Sequence, residues 1–222
     1  LSDKGGNNCD ILLMTATPIP RTLTMTIYGD MDISLIKNKP NYRKDIITYS
    51  KLESKIDEVL QFVKKEIQNG NQVFWVCPLI DESKKIDHSS AIKKYEFLKK
   101  KFPNNVGLIH GKTDKDEKDK ILKRFLENKT KILVSTTIIE VGIDFPNANV
   151  IIIENANKFG LSQLHQLRGR VGRGEKQSTC ILMFKSSLSK NAKKRLNILK
   201  NSTDGFVIAE EDMKLRGFGD IL

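Results

Sequence analysis

VGLIHGKTDKDEKDKILKRFLENKTKILV, residues 106–134, is the stretch that decides the fold. Val106–Ile109 is a short apolar run. Asp114 is a residue type that caps helices, and it precedes a charged segment with helical character through about Asn128. Ile132-Leu133-Val134 is apolar again. A strand, a helix and a second strand joined by short polar connections make a βαβ unit, and such units lay their strands in parallel.

The same alternation extends in both directions. Upstream, Ile11–Met14 reads as a strand leading into Thr15-Ala16-Thr17-Pro18, and Pro18 and Pro20 suit the first turn of a helix through about Tyr28. A linker follows, to Lys39-Pro40-Asn41. Ile46–Tyr49 is strand-like. Leu52, Ile56, Val59, Leu60, Val63 and Ile67 then recur at helical spacing until Asn69-Gly70 closes the helix. Val73–Val76 is a strand, with a helix near Ala91–Lys101 after it. Downstream, Val150–Ile153 is a strand, Leu161–Arg168 a helix and Cys180–Phe184 a last strand. Strands that are apolar on both faces belong inside a sheet covered by helices on both sides. Val73–Val76 and Ile132–Ser135 are therefore expected at its centre, with Trp75 in the core. Ligands of such sheets sit beyond the strands' carboxyl ends, which directs attention to the loops after Met14, Val76, Ile109, Val134 and Ile153. Beyond Phe184 the pattern becomes a helical hairpin. Ala192, Leu196 and Leu199 share one face, Thr203-Asp204-Gly205 turns the chain, and Phe206, Ala209 and Met213 form a second stripe expected to pack on the first.

Composition narrows the function classes. The 222 residues carry 38 Lys and Arg against 27 Asp and Glu, a net charge of +11. This suits a polyanionic partner such as nucleic acid, and equally a merely solvated lysine-rich surface. Three cysteines, Cys9, Cys77 and Cys180, are too few and too far apart for a disulfide framework or a paired-cysteine zinc site. No apolar run approaches the roughly 20 residues of a membrane span. A reduced, soluble, cytoplasmic chain is expected, and the absence of an initial Met suggests a fragment of a longer one.

Two segments compete as phosphate sites. Gly111-Lys112-Thr113 follows a strand and precedes a helix, as a phosphate loop does. Only Leu108, Ile109 and His110 separate Gly107 from Gly111, though, where the Walker motif needs four residues. A stand-alone nucleotide kinase is disfavoured for that reason, and no complete nucleotide-hydrolysing machinery is visible. The richer segment is Gln163–Gly174, where arginines alternate with glycines after a short helix. Guanidinium forks match phosphate, glycines admit close backbone approach, and so many charges together are not expected in the core.

Gln166 to Arg173 has the spacing Q-x-x-G-R-x-G-R, which resembles the last motif of the superfamily-two helicases. Thr15-Ala16-Thr17 resembles their motif that couples ATP state to nucleic acid, and Val134–Asp144 their fifth motif. His110-Gly111-Lys112 stands where they have a backbone-binding turn. The wording is closer still to the RecG family of bacterial DNA translocases, through Thr15–Thr22, Trp75–Ile80, Gly160–Gly174 and Asp204–Glu210. The transcription–repair coupling translocases of the Mfd family look similar in the first, fifth and last of these motifs. The Trp75–Ile80 wording and Ile153-Glu154-Asn155 favour RecG. Phe218 stands where that family's pattern leads one to expect proline.

The resemblance implies an α/β fold: a RecA-like, mostly parallel sheet flanked by helices, with an appended C-terminal helical hairpin. It divides the chain into the end of a first motor lobe and a linker (1–40), a second motor lobe (41–185) and the hairpin (186–222). It implies an ATP-dependent translocase that remodels forks and junctions in recombination and repair, acting as a monomer on branched or double-stranded DNA without a membrane partner. An N-terminal wedge and a first motor lobe, which would hold most of the ATP and Mg²⁺ contacts, are missing from these 222 residues, so the fragment is expected to be inactive alone. The alternative from another class is a non-catalytic DNA-binding module. By the same resemblance Arg173 is the arginine finger, Arg170 a second phosphate contact and Gln166 a water- or γ-phosphate-positioning group. Gly142 and Asp144 lie at the same cleft, although Asp144 also reads as an ordinary turn residue. His110, Gly111, Lys112, Thr136 and Thr137 face the DNA backbone. As plain chemistry His110 also reads as structural, Lys112 as a solvated lysine and the threonines as caps. Thr15, Ala16, Thr17, Arg195 and Arg216 serve coupling, and the two arginines equally suit ordinary helix-surface roles.

Overall fold

The computed structural model describes residues 44–78, 87–136 and 145–216, with single positions at 14, 34 and 36. Six strands form one sheet: β1 (Ile47–Leu52), β2 (Gln72–Val76), β3 (Val106–Ile109), β4 (Ile132–Ser135), β5 (Ala148–Ile153) and β6 (Thr179–Phe184). Their order is β1-β6-β5-β2-β4-β3, and every pairing is parallel. β2 and β4 are interior, as their largely apolar character predicts. Among the described residues six α-helices flank the sheet: α1 (Ile56–Gln68), α2 (Asp87–Lys101), α3 (Lys115–Leu126), α4 (Leu161–Arg168), α5 (Lys190–Asn201) and α6 (Gly205–Arg216). The expected strand and helix around Ile11–Tyr28 lie outside the described residues.

Strand alternation splits the core in two. Val73, Trp75 and Cys77 point to the side covered by α1 and α2, with Val63 and Leu98 against them. Phe74 and Val76 point to the other, which α3, α4, α5 and α6 cover through Phe125, Leu164, Leu196 and Ile208. There Phe74, Phe125 and Phe145 pack ring against ring, with centroids 5.3 to 5.6 Å apart. Asp114 caps α3, its carboxylate accepting from the Asp116 N–H. A methyl group at Gly107 would sit 3.1 Å from Ile121 Cγ2. Glycine there lets α3 lie close on β3; it is packing chemistry, not a phosphate cradle.

The tail departs from expectation in one respect. Ala192, Leu196 and Leu199 are buried as their spacing predicts. In α6, however, the inward positions are Ile208 and Asp212, while Phe206, Ala209 and Met213 are only half-buried. The stripe is rotated because Asp212 has a partner: the Ser162 hydroxyl of α4 donates to its Oδ2 at 2.6 Å. A satisfied carboxylate can occupy a face that hydropathy reserves for carbon. The hairpin accordingly docks on α4 and the sheet as well as on itself.

Candidate functional site: two ends of one sheet

In a parallel sheet, residues just after a strand gather at the carboxyl end and residues just before a strand at the amino end. The candidate residues divide between these ends. His110, Gly111 and Lys112 follow β3, and Thr136 follows β4, so all four lie at the carboxyl end. Gln166, Arg170 and Arg173 belong to α4 and the loop that leads into β6, so they approach the amino end. This loop is not among those the carboxyl-end rule pointed to. Thr15, Ala16, Thr17, Thr137, Gly142 and Asp144 lie outside the described residues, as does the side chain of Arg216, whose backbone ends α6.

The carboxyl-end turn is local. The His110 N–H donates to Thr113 Oγ1 at 2.9 Å, and the Lys112 N–H donates to His110 Nδ1 at 3.2 Å. His110 thus shapes the turn, while Gly111 and Lys112 stay exposed. Thr136 is wholly buried, and its Oγ1, like the neighbouring Ser135 Oγ, has no hydrogen-bond partner among the described residues. Also at this end, β2 and β5 are adjacent but send their following helices to opposite faces of the sheet. Glu154, at the end of β5, accepts from Trp75 Nε1 at 2.9 Å and pairs with Lys94 at 2.6 Å. Trp75 is therefore core, as expected, with its one polar atom satisfied.

The amino-end loop is held from several sides. Leu161, Leu164 and Leu167 bury the inner face of α4 while Gln166 is exposed. Val171 is 2% exposed. Gly172 has φ +77°, and a Cβ there would meet Ile46 Cγ1 at 2.9 Å, so only glycine suits both the backbone and the space. Arg170 and Arg173 leave this loop partly exposed. Burial first, and then the Arg173 charge, lower the Arg170 pKa from its ordinary value. Two like charges are thus held near one another at the surface, an arrangement that suits an anion.

Sequence reasoning missed Arg168. It is 2% exposed, although the density of charge around it argued against any of these arginines being core. Its Nη1 donates to the carbonyls of Leu199 at 2.7 Å and Ser202 at 2.8 Å. The signal that could have found it is the periodicity itself: Leu161, Leu164 and Arg168 fall on one helical face. Arg195, in α5, donates from Nη2 to the Asn157 carbonyl at 3.1 Å, in the short turn after β5.

Residues 54–175 match the helicase conserved C-terminal domain. The chain belongs to this family. It is 51% identical over 217 residues to the ATP-dependent DNA helicase RecG of Bacillus subtilis, covering 97% of this chain and 32% of that protein. To the RecG of Thermotoga maritima it is 47% identical over 217 residues, covering 97% of this chain and 28% of that one. The chain therefore spans less than a third of either relative. Its fold superposes on the structure of RecG bound to a three-way DNA junction with a TM-score of 0.78 at 45% identity, over 93% of this chain and 27% of that one. A TM-score of 0.54 at 18% identity to Dbp5 bound to RNA and ADP BeF3, over 91% of this chain and 46% of that one, shows the fold alone. Among the described residues the chain forms a RecA-like lobe with six parallel strands, β2 to β5 within the matched segment and β1 and β6 flanking it. No helix among its described residues is long and apolar enough to cross a membrane.

Proposed function

We propose that this chain is the second motor lobe, with its hairpin, of a RecG-type ATP-dependent DNA translocase that remodels forks and branched DNA in the cytoplasm. Residues 1–40 then belong to the end of the first lobe and the linker, 41–185 to the second lobe and 186–222 to the hairpin. The observation that carries this reading is the Q-x-x-G-R-x-G-R loop, which holds two neighbouring guanidiniums at the amino end of the sheet while a basic turn occupies the other end.

ATP supplies a γ-phosphoryl group whose transfer spreads negative charge over its oxygens. The residues present fit that charge. Arg173 neutralises it as the reaction proceeds, Arg170 holds the phosphates, and each relieves the repulsion from the other by sharing the anion. Gln166, exposed on the last turn of α4, orients water or the γ-phosphate. Gly142 and Asp144 line the same cleft near the ribose or the arginines. Among the described residues no group of three His, Cys, Asp or Glu could hold a metal ion. Mg²⁺ is assigned to the first lobe, which the proposal places with an N-terminal wedge in the same monomeric protein.

At the carboxyl end, Gly111 and Lys112 offer a backbone N–H and a cation to DNA phosphates without reading bases, with His110 setting their turn. Thr137 adds a hydroxyl after β4, and the buried Thr136 takes part through its backbone. Thr15, Ala16 and Thr17 relay the ATP state, and Arg195 and Arg216 brace the hairpin.

The test is turnover. The chain alone hydrolyses no ATP, whereas the protein with both lobes does so when DNA is added. In that protein Arg173→Ala lowers kcat on the order of 10³-fold with little change in ATP binding. ATP hydrolysis by the isolated chain, or near-normal turnover of the variant, defeats the reading.

A further inference from the structure

Arg168 occupies a position where a leucine would pack more cheaply. A guanidinium keeps its charge even when buried, so the fold accepts a desolvated cation at this point. Its partners give the reason. The Leu199 and Ser202 carbonyls belong to the carboxyl end of α5, where main-chain acceptors lack intrahelical donors and the helix dipole is negative. Arg168 Nη1 meets both carbonyls, and its Nη2 lies 3.1 Å from His165 Nδ1. A guanidinium only donates, so Nδ1 accepts and the His165 ring carries its proton on Nε2.

The chain beyond Arg168 matters more. Arg168 is the last residue of α4, and the backbone continues from it without slack. The Arg170 N–H donates to the Leu167 carbonyl at 3.0 Å and the Val171 N–H to the Arg168 carbonyl at 3.3 Å. Gly172 then abuts Ile46. Beside Ile46, the Asp45 carbonyl accepts from Gln177 Nε2 at 2.6 Å, and Asp45 Oδ1 accepts from Thr203 Oγ1 at 3.2 Å, in the turn between α5 and α6. The segment from 169 to 173 is thus suspended between a pin on α5 and a wall at the start of β1.

We propose that Arg168 is a positioning residue for Arg170 and Arg173: it takes the carboxyl end of α5 as its fixed point, so that the seat of the hairpin sets where both guanidiniums point. The inference rests on the proposed phosphate role of Arg170 and Arg173. A surface cap on α5 would satisfy the same carbonyls without linking the two elements, and a buried leucine would hold α4 without a directional bond. Here Nη1 fixes the loop relative to the hairpin, and Nη2, on His165, fixes the guanidinium relative to α4.

The experiment uses the protein with both lobes and four variants: Arg168→Lys, His165→Gln, Arg173→Ala and the Arg168→Lys/Arg173→Ala double. A lysine retains the charge but ends in one nitrogen, which cannot take the places of both Nη1, on the two carbonyls, and Nη2, on the imidazole. Arg168→Lys should lower the kcat for DNA-stimulated ATP hydrolysis about 10²-fold, the scale of a 1 Å misplacement, with KM for ATP within about twofold. His165→Gln, which leaves the carbonyl bonds intact, should lower kcat about threefold and remains informative where the lysine variant does not fold. The double variant should be no slower than Arg173→Ala alone, because both changes disable one step. Multiplicative losses in the double variant, or wild-type kcat in folded Arg168→Lys, overturn the positioning role. Where Arg168→Lys does not fold, wild-type kcat in His165→Gln overturns it. Arg173→Ala keeps the two failures apart, since its own near-normal turnover would defeat the proposed function and not this inference alone.

Discussion

The two ends of the sheet are built by different rules. The turn His110–Thr113 at the carboxyl end closes on itself through bonds among its own residues. The loop Gly169–Gly174 at the amino end makes few such bonds and takes its shape from elements distant in sequence: α5 through Arg168, and the start of β1 through Ile46. A self-closed turn can be changed without consequence elsewhere. A suspended loop reports the position of everything that suspends it, which suits the phosphate role proposed for its arginines.

The largest expected effect that tests this contrast is at Gly172. Gly172→Ala places a Cβ 2.9 Å from Ile46 Cγ1 and asks an L-residue to hold φ +77°. The left-handed backbone alone costs about 1–2 kcal/mol, and the clash adds to it. Thermal denaturation should show a loss of about 2–3 kcal/mol. Adding Ile46→Ala should recover the steric part and leave the backbone part. If Ile46→Ala recovers nothing, the wall is elsewhere.

The same contrast separates what was legible in the sequence from what was not. Val106–Ile109, Ile132–Ser135 and Leu161–Arg168 were readable because short-range periodicity and caps decide them, and Asp114 caps α3 as its type and place indicate. The candidate loops were readable as chemistry, through Lys112, Arg170 and Arg173. Long-range pairing of polar groups could not be read. Arg168 looked like surface because its acceptors lie 31 and 34 residues away. The α6 stripe of Phe206, Ala209 and Met213 was expected inward, whereas Asp212 is buried by a bond to Ser162, 50 residues away. Hydropathy scores a residue alone, whereas burial of a polar group is a property of a pair.

A smaller effect is expected at the Ser162–Asp212 bond, which ties α6 to the start of α4. Ser162→Ala removes a donor from a buried carboxylate and should cost about 1.5–3 kcal/mol. Ser162→Thr retains the hydroxyl and should cost less. Chemical denaturation of both variants decides it, and equal stabilities would show that the bond contributes nothing. Weaker again is Asp114→Ala, which deletes the cap of α3. It should cost about 1 kcal/mol, read as a shifted denaturation midpoint with an unchanged slope, since α3 borders the self-closed turn and not the suspended loop.

The smallest effect on the fold is expected at Lys112, and it sharpens the comparison most. Its side chain is exposed, and its contribution to the turn is its backbone N–H, donated to His110 Nδ1 at 3.2 Å. Alanine retains that N–H. Lys112→Ala should therefore leave the melting temperature where it is. If the turn meets DNA as proposed, the variant removes one cation from a phosphate. One lost phosphate contact reduces the slope of log affinity against log salt by about 1 and weakens binding equally across sequences, because phosphates carry no base identity. DNA affinity of the two-lobed protein, measured across a salt series on two unrelated duplexes, reads both quantities. A slope equal to wild type would take Lys112 out of the interface and leave it a solvated lysine. A lowered melting temperature would show that this turn, too, depends on its side chains, and the contrast between the two ends would fail.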